Sequence, residues 1–470
     1  MDKNPNLNKV LNSLDILVTA FGAMIGWGWV VSTGEWLSKA GVIGAIIGFI
    51  IGGIVIYFIG LTYSELMTVF PKSGGILIFS YKAFGNLGAY ISTWFMIFSY
   101  IGVVCFEACS ISTVLQYLIP GFLKGYMYTI GNYDIYLTWV VVAVCFSLII
   151  TYVNIVGVKA AAIFQTVLTF VIGIVGISLV IISLFNGEMS NIETQTFYGN
   201  NITDNIKGIL SVAVITPFFL FGFDIIPQVA EEINVPLRKI GKLMLLSILL
   251  AVLFYTLIIF SVGYILNSAE LEELMNSNYL VTAKAMEKAF SSTSMTKILI
   301  LGGICGIITS WNSFFIGGSR AIYSMSEANM LPQNLKKLHP KYKTPVNTIL
   351  LIESISIICI LFGRSMLTWI SNVASFSCCI AYFMVAISFL KIRKEEPNLE
   401  RPYKVRCYRL VGIIAVILSA MLLLLYVLPN TGCTFNKAEW SIILLWVLLG
   451  IYLLYLSKKK YGKLFGKIEI

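Results

Sequence analysis

The chain is 470 residues long, 58% hydrophobic and only 12% charged, with a mean hydropathy of +0.87, more apolar than a water-soluble surface tolerates. Lipid is therefore its solvent, and the net charge of +10 does not signal nucleic acid, because the basic residues cluster in short loops between apolar runs. Hydrocarbon admits only helices and closed barrels, and the runs are too long for barrel strands, so the expected class is an all-α integral membrane bundle.

In chain order, the polar stretch 1–13 is expected to precede a retained first span rather than a cleaved signal peptide. Twelve transmembrane helices of roughly 20 apolar residues or more are predicted near 14–38, 41–68, 87–118, 136–154, 157–185, 206–231, 241–266, 295–323, 345–362, 366–390, 409–428 and 439–457. Two are unlike the rest. Gly22, Gly26 and Gly28 interrupt helix 1, and Pro217, Gly222 and Asp224 fall within Thr216–Pro227 of helix 6. Glycine weakens a helix and proline removes a backbone donor, so both are expected to be discontinuous at membrane depth. They lie five spans apart, which suggests a five-plus-five inverted repeat with the binding site at the breaks.

Ser268–Lys297 is a polar excursion holding an amphipathic stretch expected at the outer surface. The charged, proline-bearing linker 391–409 separates a transport core, 1–390, from the segment 391–470 with helices 11 and 12. With the N-terminus inside, 25 of the 33 Lys and Arg fall on the inner side and 8 on the outer, which places both termini in the cytoplasm. A plasma membrane location is expected. The cysteines lack the spacing of a zinc site or disulfide framework, the one histidine, His339, sits in a basic loop, and no P-loop is present. Neither a metal nor a cofactor is expected.

Several segments together resemble the amino acid–polyamine–organocation permeases. They are GAMIGWGW in helix 1, Phe70–Gly75 after helix 2, Asn154–Lys159 at the entry to helix 5 and Phe218–Pro236 through helix 6. Ser319–Met325 with Leu331-Pro332 and Thr344-Pro345 leaves helix 8, and Arg401–Val405 precedes helix 11. The resemblance spans nearly the whole chain and implies a leucine-transporter-type fold and secondary transport by alternating access. One departure is Trp27, where the family usually has a small residue. Its indole either fills part of the pocket, favouring a small amino acid, or turns outward.

Breaking helix 1 at Gly26–Gly28 exposes N–H groups that attract a carboxylate, while the break near Phe221–Gly222 leaves carbonyls for an α-ammonium group. Alternatively, the glycines merely allow close helix packing. The resemblance places Met24 beside the backbone site and Phe218 and Phe221 nearest the substrate, with Phe314 closing the pocket and Trp311 a second choice. Asp224 either senses protons, binds the amine or caps a half-helix. Glu107 pairs with a cationic substrate or with a neighbouring helix, and Glu65 and Glu353 are expected to bond structurally. Lys159 either snorkels to the interface or, as the resemblance implies, points inward and replaces sodium.

The function expected is a permease for amino acids, proton-coupled or exchanging, sodium-independent, and not an enzyme. Its partners are then a small-molecule substrate, the lipid bilayer and protons, with no nucleic acid. A polyamine or organic amine carrier is the alternative, and a non-transporting sensor or structural subunit the alternative of another class.

Overall fold

In a computed structural model the described residues are 9–130, 133–199, 201–277, 279–363, 365–429 and 434–468. Helix α1, Ser13–Met24, opens on a capping box in which Asn12 accepts from the Asp15 amide and Asp15 from the Asn12 amide. After the non-helical residues Ile25–Trp27, α2 runs Gly28–Val31 and continues through Ser32 into α3, Thr33–Val69. Gly41, at φ +73°, sits inside α3 and marks a kink there. Helix α4, Ile76–Leu118, is followed by strands β1, Tyr126–Ile130, and β2, Tyr133–Tyr136, which pair antiparallel. Then come α5, Leu137–Val156; α6, Val158–Asn186; and a short α7, Met189–Thr194.

The second half opens with α8, Ile202–Phe219, which ends two residues after its internal Pro217. A non-helical stretch leads to α9, Ile225–Gln228, and then to α10, Leu237–Ile265. The polar excursion forms two short helices, α11, Ser268–Asn276, and α12, Val281–Phe290. Four long helices and one shorter one complete the chain: α13, Ser294–Glu327; α14, Val346–Ile360; α15, Ser365–Glu395; α16, Tyr408–Val427; and α17, Lys437–Tyr461.

Among the described residues eleven helical segments are long and apolar enough to cross a membrane. The segment expected as span 9 is the shorter α14, whose 15 residues rise about 22 Å at 1.5 Å each, short of a hydrocarbon core of about 30 Å. The all-α expectation holds for the membrane bundle, and the short β1–β2 ribbon is an addition to the connection between α4 and α5. Helix α4 is broken at Gly85, at φ +70° and ψ −162°, so a separate helical piece over 76–84 precedes the span expected from residue 87.

Packing concentrates on a few partners: α4 lies along α15 and α13, α3 along α8 and α10, and α1 touches α10, α13 and α6. These contacts bring the α1–α2 and α8–α9 breaks together in the centre. Lipid-side residues are large and apolar. Leu249 and Leu253 on α10, Phe170 and Ile174 on α6 and Leu445 on α17 are all more than half exposed, as expected of surfaces that face hydrocarbon.

Candidate functional site

The two breaks pack directly against each other. Gly222 has φ +141°, which only glycine adopts without strain, and a β-carbon there would stand 2.6 Å from Ala23 Cβ and 3.2 Å from the Met24 amide nitrogen. Any side chain would thus force α8 off α1. The Met24 carbonyl, which has lost its helical partner, accepts from the Tyr255 hydroxyl at 2.9 Å. The main-chain N–H groups of Gly26 and Trp27 have no acceptor among the described residues. Gly28 opens α2, where first-turn N–H groups have no intrahelical acceptor.

Helix α13 cradles the first break with glycines of its own. Gly306 packs on the Gly26 carbonyl, 2.5 Å from where its β-carbon would be, and Gly303 leaves the space into which the six-membered edge of the Trp27 indole fits. Trp27 is 4% exposed and also borders the cavity at the breaks. Its ring is therefore turned inward, against α13.

That cavity measures about 30 Å³, an order of magnitude below small-molecule pockets of about 300–1,000 Å³, so in this conformation the chamber is closed tightly around the breaks. Met24, Gly26, Trp27, Gly28, Phe218, Phe221 and Phe314 all line it. Phe221 stacks on Phe314 at 4.8 Å between ring centroids and on Tyr100 at 5.7 Å, while Phe218 meets Phe106 edge-on at 5.8 Å. Trp311 is buried elsewhere in α13. Gly222 does not line it and instead forms the contact with Ala23 and Met24.

Glu107 of α4 reaches the same space. It is 3% exposed, lines the cavity beside Ser310, and holds Oε1 2.8 Å from where a Gly26 β-carbon would stand. Its Oε2 is buried without a hydrogen-bond partner among the described residues. A buried, incompletely bonded carboxylate is costly in a low-dielectric interior, so this oxygen is a ready acceptor for an ammonium group or a proton.

Asp224 is placed differently. Its Oδ2 accepts from Tyr100 at 2.6 Å, and its Oδ1 accepts from Tyr382 at 3.1 Å and from the Gly222 amide at 3.1 Å. Both oxygens are committed to holding the second break, and Asp224 does not line the cavity. Lys159 is exposed on the first turn of α6, away from the cavity, the disposition of a lysine that carries its charge to the membrane interface. Beside Gly22 stand the Gln165 amide and the Thr169 hydroxyl, and Asn154, Asn312 and Gln165 form a hydrogen-bonded chain at 3.0 Å per link.

Sequence reasoning missed Tyr255, Phe219, Phe106 and Ser310. Tyr255 carried a signal, because a tyrosine amid an apolar span needs a partner for its hydroxyl. Phe219, whose ring fills the space a Gly28 β-carbon would need, could not be told from its packing neighbours by sequence position. Glu65 and Glu353 hold structure: Glu65 binds Arg393, Arg401 and the Val405 amide, and Glu353 accepts from Ser147 and Thr151.

A multi-pass helical membrane protein with a small polar-and-aromatic chamber at two touching helix breaks has the build of a solute transporter. The amino acid permease family matches residues 15–464, and the chain belongs to that family, within the amino acid–polyamine–organocation superfamily. Its relatives include the branched-chain amino acid permease BcaP of Bacillus subtilis (strain 168), 24% identical over 98% of this chain and 95% of that protein. The aspartate-proton symporter of the same organism is 24% identical over 98% of this chain and 86% of its own. The serine/threonine exchanger SteT, also of Bacillus subtilis, is 24% identical over 87% of this chain and 89% of its own. Family and relatives are transporters, not enzymes, and the chain is an amino acid transporter.

Proposed function

We propose that the protein is a sodium-independent secondary transporter of small zwitterionic amino acids, coupled to protons or to exchange, working by alternating access. The observation that carries this reading is the meeting of three features in one chamber: unpaired N–H groups at the Gly26–Trp27 break, the second break at Gly222, and the Glu107 carboxylate. Amide donors suit the substrate carboxylate, and Glu107 Oε2 suits its ammonium. Trp27, Phe221 and Phe314 leave little volume, which favours a short side chain. The unpartnered Glu107 oxygen also favours a second reading, in which an organic amine without a carboxylate is carried. The relatives, an aspartate-proton symporter and a serine/threonine exchanger among them, support proton coupling or exchange without distinguishing the two.

The reading includes twelve spans, with α14 as the ninth, arranged as a ten-span inverted-repeat core over 1–390 and a terminal pair. Support comes from contacts that occur in exchanged pairs. If each span of the first half is swapped with its counterpart five spans on, α3 against α8 becomes α10 against α1, and α4 against α15 becomes α13 against α6. Likewise α4 against α14 becomes α13 against α5. The charge bias supports cytoplasmic termini in a plasma membrane. For coupling, Glu107 is the first candidate. Asp224 acts by holding the second break, and Lys159 enters only if it turns inward in another state of the cycle. Uptake of a panel of labelled amino acids and amines into proteoliposomes tests the proposal: saturable uptake of small amino acids without sodium supports it, and uptake of amines alone replaces it with the second reading.

A further inference from the structure

A second cavity, which shares no lining residue with the chamber at the helix breaks, lies where the start of α10 meets the linker between α15 and α16. It measures about 640 Å³ and is lined by Arg238, Lys242, Arg393, Lys404 and Arg406 together with Tyr403 and other linker residues. No acidic residue lines it among the described residues. Arg393 is committed, with Nε 2.7 Å from Glu65 Oε1. The other four cations are exposed and form no ion pair among the described residues. Concentrating them around one hollow raises their mutual repulsion, which an anion in the hollow would relieve.

The apolar surface below the hollow identifies the anion's carrier. Arg238 and Lys242 lie one helical turn apart on α10, and the same face continues through Leu246, Leu249 and Leu253, which are 43%, 52% and 52% exposed. Arg406 stands at the head of α16, whose face continues through Leu410, Ile413 and Ile417, exposed at 61%, 50% and 59%. Helix α3 packs against both α10 and α16 and so joins the two stripes, and it carries exposed Ile50 and Ile54 of its own. Tyr403 packs on Gly241 with its ring 3.0 Å from where that glycine's β-carbon would be, which seats the linker against α10. The result is a cationic mouth above a lipid-facing apolar groove.

We infer that this hollow is a binding site for the phosphate headgroup of an anionic phospholipid, with the acyl chains lying along α3 between α10 and α16. A free phosphate would satisfy the cations but leave the groove unused, and a zwitterionic lipid would bring its own cation into the cluster. Each basic residue near an anionic lipid surface is worth roughly fivefold in affinity. Removing two should weaken anionic-lipid binding on the order of 25-fold.

Native mass spectrometry of the delipidated full chain, titrated with phosphatidylglycerol and phosphatidylcholine of identical chains, tests this. The wild type should retain phosphatidylglycerol at least tenfold better. Lys404→Gln with Arg406→Gln, on the exposed linker, should bring the two lipids toward parity, as should Arg238→Gln with Lys242→Gln made separately. Neutralising Lys459 and Lys460 in a different basic cluster should change nothing. Equal retention of both lipids by the wild type, or preserved preference in either folded double variant, would overturn the site. Displacement of phosphatidylglycerol by an equal concentration of glycerol phosphate would overturn the lipid as its occupant.

Discussion

Glu107 and Gly26 face each other across the first helix break, with Oε1 of the carboxylate 2.8 Å from where a β-carbon on the glycine would lie. The contact joins the backbone groups suited to a substrate carboxylate to the side chain suited to its ammonium. It also sets α4 directly beside the first break, so that movement of either changes the chamber. Gly26→Leu should therefore abolish substrate binding in a protein that still inserts and elutes as a single species. Gly28→Leu should do the same by colliding with the Phe219 ring. Scintillation proximity binding on the purified variants reads this, and undiminished binding in both would remove the backbone groups from the site.

Replacing Glu107 by Gln keeps the shape and removes the charge. A hydrogen bond to a charged partner contributes about 1.5–3 kcal/mol, so KM for a zwitterionic substrate should rise roughly 10- to 100-fold. Proton-driven accumulation should fall with it if this carboxylate also carries the proton. An unchanged KM would mean that Glu107 does not contact the substrate.

The breaks were legible from sequence because glycine and proline act locally: Gly26, Gly28, Pro217 and Gly222 have the same backbone consequence wherever the chain goes. The partners of the breaks were not legible, since Tyr255, Ser310 and Tyr100 come from helices far away in sequence and each reads as an ordinary span residue. Asp224 shows the same limit. Its proximity to the break was visible, but its commitment to Tyr100 and Tyr382 depends on how α4 and α15 pack. The ribbon strands did carry a weak signal, tyrosines at 126, 128, 133 and 136 flanking the turn-favouring pair Gly131-Asn132 in the sequence.

Trp27→Ser should enlarge the chamber, because the indole occupies space against Gly303. Substrates with larger side chains should then compete for uptake, while affinity for the smallest should drop. An inhibition profile identical to that of the wild type would mean that the freed volume is closed by movement of α13.

Arg320 of α13 and Glu232, in the segment after α9, form a buried pair with Nε 2.9 Å from Oε1. The Glu232 carbonyl meanwhile accepts from the amides of Val10 and Leu11 ahead of α1. Arg320→Met leaves Glu232 buried without its partner and should cost about 3–5 kcal/mol, read as a lower Tm in detergent. Because the pair also pins the segment before α1, the variant should be more open to a thiol reagent at a cysteine placed at Ser13. Unchanged Tm and labelling together would show the pair to be dispensable.

Lys159 separates two accounts of energy coupling. Replacing sodium by choline should leave uptake unaltered, and exchange slowed in Lys159→Ala with substrate binding intact would show that the lysine turns inward during the cycle. Normal pH-dependent uptake by Lys159→Ala would leave the lysine as an interfacial anchor, in keeping with its exposure.

The most direct measurement is counterflow in sodium-free proteoliposomes loaded with an unlabelled small amino acid and diluted into a trace of the same amino acid carrying label. Transient accumulation of label by the wild type, absent from Gly26→Leu vesicles holding equal amounts of folded protein, is the predicted result. Accumulation of label in both, or in neither for every small amino acid tried, would contradict transport through the chamber at the two breaks.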